Sequence, residues 1–141
     1  MDHIVYLDAR AGELEKILAG EKTMIIRGAA GRKMPHGSVF ENDVLYFVNN
    51  NGEGLIRAKG MVKSAFHSGK MEKEASQKLI HDNREKLRLT QPQIKRWAGK
   101  RYLVLVELEN IEPLEPFSFS KTEFTNMDDW LSVGDIEKVK K

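Results

Sequence analysis

Apolar residues recur along the chain in two spacings, one typical of β-strands and one typical of α-helices. Runs rich in β-branched and aromatic residues predict strands at residues 3–7, 23–26, 44–48, 55–66 and 102–108. Between the first two runs, Leu14, Ile17 and Leu18 follow the i, i+3, i+4 pattern of a helix face, and Gly20 stands where a helix C-cap is expected. The chain is therefore predicted to open with a strand, a helix and a strand.

A hairpin and two helices are predicted in the middle of the chain. Asn and Gly residues fill the segment 49–54 and accept positive φ, so strand 55–66 is expected to pair antiparallel with strand 44–48. Small and apolar residues alternate with basic ones along 55–66, which predicts one wet, basic face. Apolar residues four apart predict a helix over 70–87, and Thr90 is expected to cap another.

The C-terminal part is predicted to leave the sheet after the last strand. Pro113 and Pro116 are expected to break the chain there, and residues 126–131 have the pattern of a short capped helix. No repeat or linker divides the sequence. We therefore expect one domain over residues 1–112 and a C-terminal extension over 113–141 that packs on it and is partly flexible.

Composition agrees with one globular domain and excludes several chemistries. The 141 residues are 40% hydrophobic and 31% charged, which is ordinary for a chain that buries a core. Because cysteine is absent, disulfides, thiolate catalysis and cysteine-ligated zinc are excluded. No apolar run approaches the about 18 residues of a membrane span, and the N-terminus lacks a secretion signal. We expect a monomeric, cytoplasmic protein without membrane contact.

Charge is distributed unevenly, although the net charge is only +2. Basic residues are in excess between Lys70 and Arg101, and acidic residues are in excess from Glu107 onward. The basic stretch suits a polyanionic partner, and it equally suits an ordinary solvated helical face. A protein-interaction module, in which the acidic C-terminal segment covers the basic middle, is a further alternative.

Several polar side chains near the second strand are candidates for binding a phosphate-containing ligand. Lys22 and Arg27 flank that strand, whereas Arg32, Lys33 and His36 lie in the long glycine-containing loop that follows it. Arginine matches phosphate oxygens with its planar fork, and glycines let the main chain approach a ligand closely. The alternatives are an ordinary ion pair for the first two residues and a mobile, solvated loop for the others.

Aromatic residues supply candidate stacking surfaces for an unpaired base. Trp97 is the strongest candidate because Arg96 and other basic residues surround it in the sequence, and core packing is the alternative. The histidines are scattered without metal-ligand spacing, so no metal site is predicted. The loop after the second strand lacks the frame of a P-loop, so nucleotide hydrolysis is not supported. No cofactor is expected.

The Gly-x-Lys-Thr-x-x-x-Arg segment, directly after the first helix, resembles the ASCH family, which has a PUA-like fold. Gly20, Lys22, Thr23 and Arg27 carry the resemblance, and the segment 42–47 supports it. The resemblance covers the chain up to the predicted C-terminal extension. It implies an α+β fold, a small PUA-like β-barrel of about five to six mixed strands with flanking helices.

The resemblance implies two classes of function. Members look like RNA- or nucleic-acid-binding modules with a cleft beside the barrel, and a small subset look like amidohydrolases that release acetate from N4-acetylcytidine-type substrates. For this subset the implied catalytic residues are Lys22, Thr23 and Glu85. The position of the subset's nucleophilic threonine holds Ile25, which has no hydroxyl to attack a carbonyl.

Binding is therefore the preferred function, and whether the chain is an enzyme stays open. We expect an RNA- or nucleotide-binding module with a cationic cleft next to the segment 20–28. Its partner would be RNA, another single-stranded nucleic acid or a nucleotide-like small molecule. The candidate ligand-binding residues are Lys22, Thr23, Arg27, Arg32, Lys33, His36, Glu85, Arg96 and Trp97.

Overall fold

Six strands form one mixed sheet that curls into a half-barrel, and a few short helices pack against it. The computed structural model describes residues 1–120 and 129–141. In chain order the elements are β1 (Asp2–Leu7), α1 (Glu13–Leu18), β2 (Met24–Ala29), β3 (Val44–Asn49), β4 (Leu55–His67), α2 (Lys73–Asp82), α3 (Arg84–Leu87), α4 (Gln91–Trp97), β5 (Tyr102–Ser118) and β6 (Trp130–Gly134), followed by a 3-10 turn at Ile136–Lys138.

The strand order across the sheet is β2-β5-β4-β3-β1-β6. β1 pairs in parallel with β3, and every other neighbouring pair in this order is antiparallel. The β3–β4 hairpin predicted from the Asn- and Gly-rich segment 49–54 is thereby confirmed. β1 lies between β3 and β6, so strands that are far apart in the sequence are neighbours in the sheet.

Alternation along β4 places one face of that strand in the core. Ile56, Ala58 and Val62 are fully buried, whereas Arg57 is half-buried and Lys63 is exposed. The wet, basic face predicted for this strand is confirmed. Apolar side chains of α1 pack in one cluster with Ala58 and Val62, and their burial is the main source of free energy that holds the helix to the sheet.

The helix predicted over 70–87 begins only at Lys73, and it is divided into α2 and α3 at Asn83. Asn83 departs from helical geometry, with φ −110° and ψ 15°, and its side-chain amide donates to the Leu79 carbonyl at 2.9 Å. The cap predicted at Thr90 is confirmed. Its hydroxyl accepts from the Gln93 backbone N–H while the Gln93 side chain accepts from the Thr90 N–H, which forms a capping box. This box fixes where α4 begins.

The chain break predicted at Pro113 and Pro116 is wrong, since β5 continues through both residues to Ser118. β2 pairs with β5 only as far as Glu107, which leaves the later part of that edge without a partner strand among the described residues. Proline is tolerated at a strand edge because its missing N–H costs no ladder hydrogen bond there. Register shifts between β4 and β5 accommodate the remaining irregularity.

The short helix predicted over 126–131 is wrong at its end, and residues 126–128 lie outside the described ranges. Trp130 and Leu131 belong to β6 and pair antiparallel with β1. The open edge of β1 offers backbone hydrogen bonds that outweigh a weak local preference for helix. The division into a domain over 1–112 and an extension stays a prediction, and its boundary lies within β5.

A buried histidine connects three parts of the sheet. His3 in β1 is fully buried, and its Nε2 lies 2.8 Å from Asp43 Oδ2, just before β3. Its Nδ1 lies 3.1 Å from Trp130 Nε1 and 2.9 Å from Ser132 Oγ, both in β6. An indole N–H can only donate, so Nδ1 is an acceptor and Nε2 carries the proton that is donated to the carboxylate.

Ser132, His3 and Asp43 are connected in the order of a Ser-His-Asp catalytic triad. In a triad the histidine nitrogen next to the serine must take up a proton. Here the Trp130 N–H already points at the His3 Nδ1 lone pair, and protonation would set two donors against each other. The network therefore holds β1 to its two neighbouring strands and does not supply a general base.

Acidification below about pH 6.5 is expected to lower the free energy of unfolding through His3. Burial lowers the pKa of His3 below its usual value of 6.5, although the hydrogen bond to Asp43 acts in the opposite direction. The unfolded chain therefore takes up the proton first. Stability that is complete above pH 6.5 is lost as the pH falls, by at most about 1.4 kcal/mol per pH unit. Urea unfolding across this pH range measures the slope.

His3→Gln is the matched control for this measurement. A glutamine amide can donate to Asp43 and accept from Trp130, and it does not titrate. We expect the variant to lose less stability than the wild-type protein over the same pH range. Equal slopes for the two proteins would assign the pH dependence to other groups, such as Asp43 itself.

Candidate functional site

A pocket of about 170 Å³, here called the cationic pocket, opens where β2 and β5 meet the long loop and the last turn of α4. Several of the residues predicted to bind a ligand line it together: Arg27, Lys33, His36, Arg96 and Trp97. These residues come from three separate segments of the chain, which the sheet and α4 bring to one place. The other lining residues are Gly28, Ala29, Gly31, Met34, Pro35, Tyr102, Val104 and Asp129.

Arg27 lies in the wall of the cationic pocket and is only 7% exposed. Its Nη1 and Nη2 atoms donate to the carbonyls of Ile26 at 2.7 Å and Tyr6 at 2.6 Å. Its Nε atom lies 3.2 Å from Asp129 Oδ2, an ion pair without hydrogen-bond geometry. Groups of the protein therefore already bind this guanidinium. It gives the pocket a fixed positive charge and is not a free contact for a ligand.

Arg96 and Lys33 are the exposed cations of the pocket. The Arg96 guanidinium lies 4.4 Å from the centre of the Trp97 ring, which is a stacking arrangement, and its side chain is 59% exposed. Its Nη2 atom is 3.8 Å from Asp129 Oδ2. Lys33 is exposed in the loop. Among the described lining residues, three cationic side chains face one carboxylate, so the local potential is positive.

The aromatic side chains of the pocket come from α4 and β5. Trp97 is largely buried in an apolar cluster with Ile26 and Leu103, so it serves the core and the pocket wall at once. Tyr102, at the start of β5, is half-buried. The Arg32 guanidinium lies 5.8 Å from the centre of the Tyr102 ring, which puts this predicted residue at the rim of the pocket.

Lys22 lies outside the cationic pocket and is only 1% exposed. Its Nζ atom is 3.3 Å from Glu13 Oε2 and donates a hydrogen bond to the Leu87 carbonyl. Burial lowers the pKa of Lys22, and the Glu13 carboxylate acts in the opposite direction. The ammonium group therefore connects α1 to α3 beneath the surface, and its position does not support the predicted ligand contact.

Tyr102 and Asp129 line the pocket but were not among the ligand-binding residues predicted from the sequence. Tyr102 belongs to an alternating strand, but alternation does not tell which face of β5 looks into a pocket. Asp129 lies within the segment 126–131, which was predicted to be helical, and nothing in the sequence marked it as a pocket residue. Its carboxylate contacts Arg27 and Arg96, which lie in other elements, and only the three-dimensional arrangement reveals such contacts.

Within residues 1–120 and 129–141, no group of three or more histidine or acidic side chains is close enough to hold a metal ion. No helix in those same ranges is long and apolar enough to cross a membrane. The expectation that the chain needs no cofactor stays a prediction.

The ASCH protein from Zymomonas mobilis has a similar structure, with a TM-score of 0.68 and 13% sequence identity over 97% of this chain and 90% of that one. Two variants of that protein give the same TM-score of 0.68 at 12% identity, covering 97% of this chain and 93% or 91% of theirs. The chain has an ASCH-like fold. The half-barrel with flanking helices matches a small PUA-like barrel, so the predicted fold class is confirmed.

No protein-family model and no curated protein matches the sequence. The ASCH-like fold is therefore established by three-dimensional similarity, which extends over 97% of the chain and so beyond the part that carries the sequence resemblance. At 13% identity this similarity establishes the fold alone. Function has to be argued from the residues of the site.

In this ASCH-like fold, the residues implied for an amidohydrolase have different surroundings. Lys22 is buried, whereas Glu85 is exposed on α3, and neither residue lines the cationic pocket. Thr23 is half-buried and its backbone N–H donates to the Lys86 carbonyl at 3.0 Å. Ile25 is fully buried in the core and offers no nucleophile. No contact within residues 1–120 and 129–141 favours hydrolysis, and whether the chain is an enzyme stays open.

Proposed function

We propose that the chain binds single-stranded RNA, with one nucleotide entering the cationic pocket. The observation that carries the proposal is the meeting of three cations, Arg27, Lys33 and Arg96, with the rings of Trp97 and Tyr102. Cationic side chains bind phosphate oxygens, and aromatic rings stack on unpaired bases. A nucleotide-like small molecule that offers the same phosphate and base would bind in the same way.

Arg96 and Lys33 are the residues proposed to contact phosphate. The Trp97 ring already orients the Arg96 guanidinium, so little conformational freedom is lost when its fork meets two phosphate oxygens. Arg27 strengthens the potential from the wall. Asp129 holds Arg96 weakly at 3.8 Å, and a phosphate group with more negative charge would compete for it.

The size of the pocket supports a polymer over a large cofactor. Its volume of about 170 Å³ is below the range of about 300–1,000 Å³ that encloses a whole small-molecule ligand. One base or one phosphate therefore fits inside at a time. The rest of the ligand would lie across the surface, as an RNA strand does.

Arg96→Ala is expected to weaken binding of a fluorescein-labelled single-stranded RNA about tenfold, because a hydrogen bond from a charged donor contributes about 1.5–3 kcal/mol. The loss should be similar for different RNA sequences, since phosphate carries no sequence information. Fluorescence anisotropy at several salt concentrations measures the affinity. The plot of log K against log salt should become shallower by about one phosphate contact.

Lys95→Ala is the matched control. It removes the same charge from the preceding residue of α4, which is exposed and does not line the pocket. Its affinity is expected to stay near that of the wild-type protein. Equal losses from both variants would mean that general attraction to basic residues, and not the pocket, holds the RNA. Absence of binding to any RNA by the wild-type protein would overturn the proposal.

A further inference from the structure

A row of aromatic side chains continues from the cationic pocket across the surface. Tyr102 and His36 line the pocket, and their ring centroids are 5.6 Å apart. His36 is followed by His67 at 5.4 Å, and His67 is followed by Phe40 at 6.0 Å. Phe40, at the far end, is 57% exposed. These four residues are here called the aromatic row.

Hydrogen bonds hold the middle of the row in place. His36 Nε2 donates to the Ser68 carbonyl at 2.7 Å, and His67 Nε2 donates to the Val39 carbonyl at 2.8 Å. His67 Nδ1 accepts from the Gly37 backbone N–H at 2.9 Å. Both nitrogens of that imidazole are therefore occupied, and the ring cannot turn freely. The far end of the row is held at a set distance from the pocket.

The ring of Phe40, at the exposed end of the row, is accessible to a ligand. More than half of the Phe40 surface faces water, so its ring adds little to the core. Its neighbour His67 is nevertheless fixed by two hydrogen bonds, so the ring rests on a rigid base. Single-stranded nucleic acids stack their bases on aromatic rings that line a positively charged groove, and here the cations stand at the pocket end of the row.

We propose that the aromatic row continues the RNA site, so that a single strand runs from the cationic pocket to Phe40. This inference rests on the proposed RNA binding. Arg32, which lies over the Tyr102 ring at 5.8 Å, and the exposed Lys33 supply positive charge at the pocket end of this path. The three distances between neighbouring rings of the row, 5.6, 5.4 and 6.0 Å, each exceed the spacing of about 3.4 Å between stacked nucleotides. An RNA strand that follows the whole row therefore contains several nucleotides.

Affinity measured against RNA length tests the path. Fluorescence anisotropy with labelled uridine oligonucleotides of two to ten residues is expected to show affinity that rises with length until the row is covered. Phe40→Ala should weaken binding of the longest oligonucleotide about 5- to 150-fold, because one stacked base contributes that much. The same variant should bind the dinucleotide as the wild-type protein does, and Phe40→Trp should restore tight binding of the long RNA.

Phe66→Ala is the matched control, because Phe66 is also exposed, at 50%, and points to the opposite face of β4 from His67. We expect it to bind all lengths normally. If Arg96→Ala weakens RNA binding but Phe40→Ala does not weaken it at any RNA length, the path is overturned and the pocket proposal stands. Equal weakening of short and long RNA by Phe40→Ala would also overturn it. Absence of RNA binding by the wild-type protein would overturn both.

Discussion

Lys22→Met is expected to lower the free energy of unfolding by about 3–5 kcal/mol, the cost of removing one partner from a buried ion pair. Methionine has a similar volume, so the loss comes from charge and hydrogen bonding rather than from a cavity. Glu13 would keep a carboxylate that is 7% exposed without its cation, and the Leu87 carbonyl would lose its donor. Urea unfolding followed by circular dichroism measures the change.

Lys86→Met provides the control, because Lys86 pairs with Glu107 at 3.0 Å but is 50% exposed. An exposed pair contributes about 0–1 kcal/mol, so this variant should unfold almost like the wild-type protein. The double variant Lys22→Met, Glu13→Leu should recover part of the lost stability, since it leaves no unpaired charge. If Lys22→Met changes the free energy of unfolding only slightly but weakens RNA binding, Lys22 would instead be a ligand-binding residue.

Arg27→Lys is expected to cost about 3 kcal/mol or more, although it keeps the positive charge. The two hydrogen bonds that Arg27 donates to the Tyr6 and Ile26 carbonyls come from a charged group and contribute about 1.5–3 kcal/mol each. A lysine has no planar fork with which to reach both carbonyls and Asp129. The melting temperature measures the loss. Near-ultraviolet circular dichroism should also change, because Arg27 lies 6.0 Å from the Trp97 ring and 5.8 Å from that of Trp130.

Arg57→Lys is the matched control for Arg27→Lys. Arg57 forms a surface ion pair with Glu53, and a lysine can replace it there without leaving a buried group unpaired. We expect no measurable change in its melting temperature. An Arg27→Lys variant as stable as this control would show that the carbonyl contacts are dispensable and would make Arg27 available for a ligand.

Local elements of the fold could be predicted because their signals lie within a few residues of each other. The capping box needs only Thr90 and Gln93, and the hairpin needs only the Asn and Gly residues between two strands. The passage of β5 through Pro113 depends instead on which edge of the strand lacks a neighbour. Strand order decides that question, and it cannot be read from the spacing of residues.

Residues of the site likewise divide into those with a local sequence signal and those whose position depends on distant parts of the chain. Arg96 and Trp97 were predicted because a cation beside an aromatic ring is visible in the sequence, and both line the pocket. Lys22 follows a helix end, where lysines are usually exposed. Its burial depends on Glu13 and on a carbonyl 65 residues further along the chain at Leu87, and neither partner marks the lysine locally.

The position of β1 between β3 and β6 has a consequence for the order of folding. Neighbours close in sequence can meet early, whereas the β1–β6 pairing joins Asp2 to Gly134 and requires almost the whole chain to close a loop. We expect the other five strands to associate first and β6 to dock last. Asp129 and Trp130, which contact Arg27, arrive with that strand. The cationic pocket is therefore completed by the final step of folding.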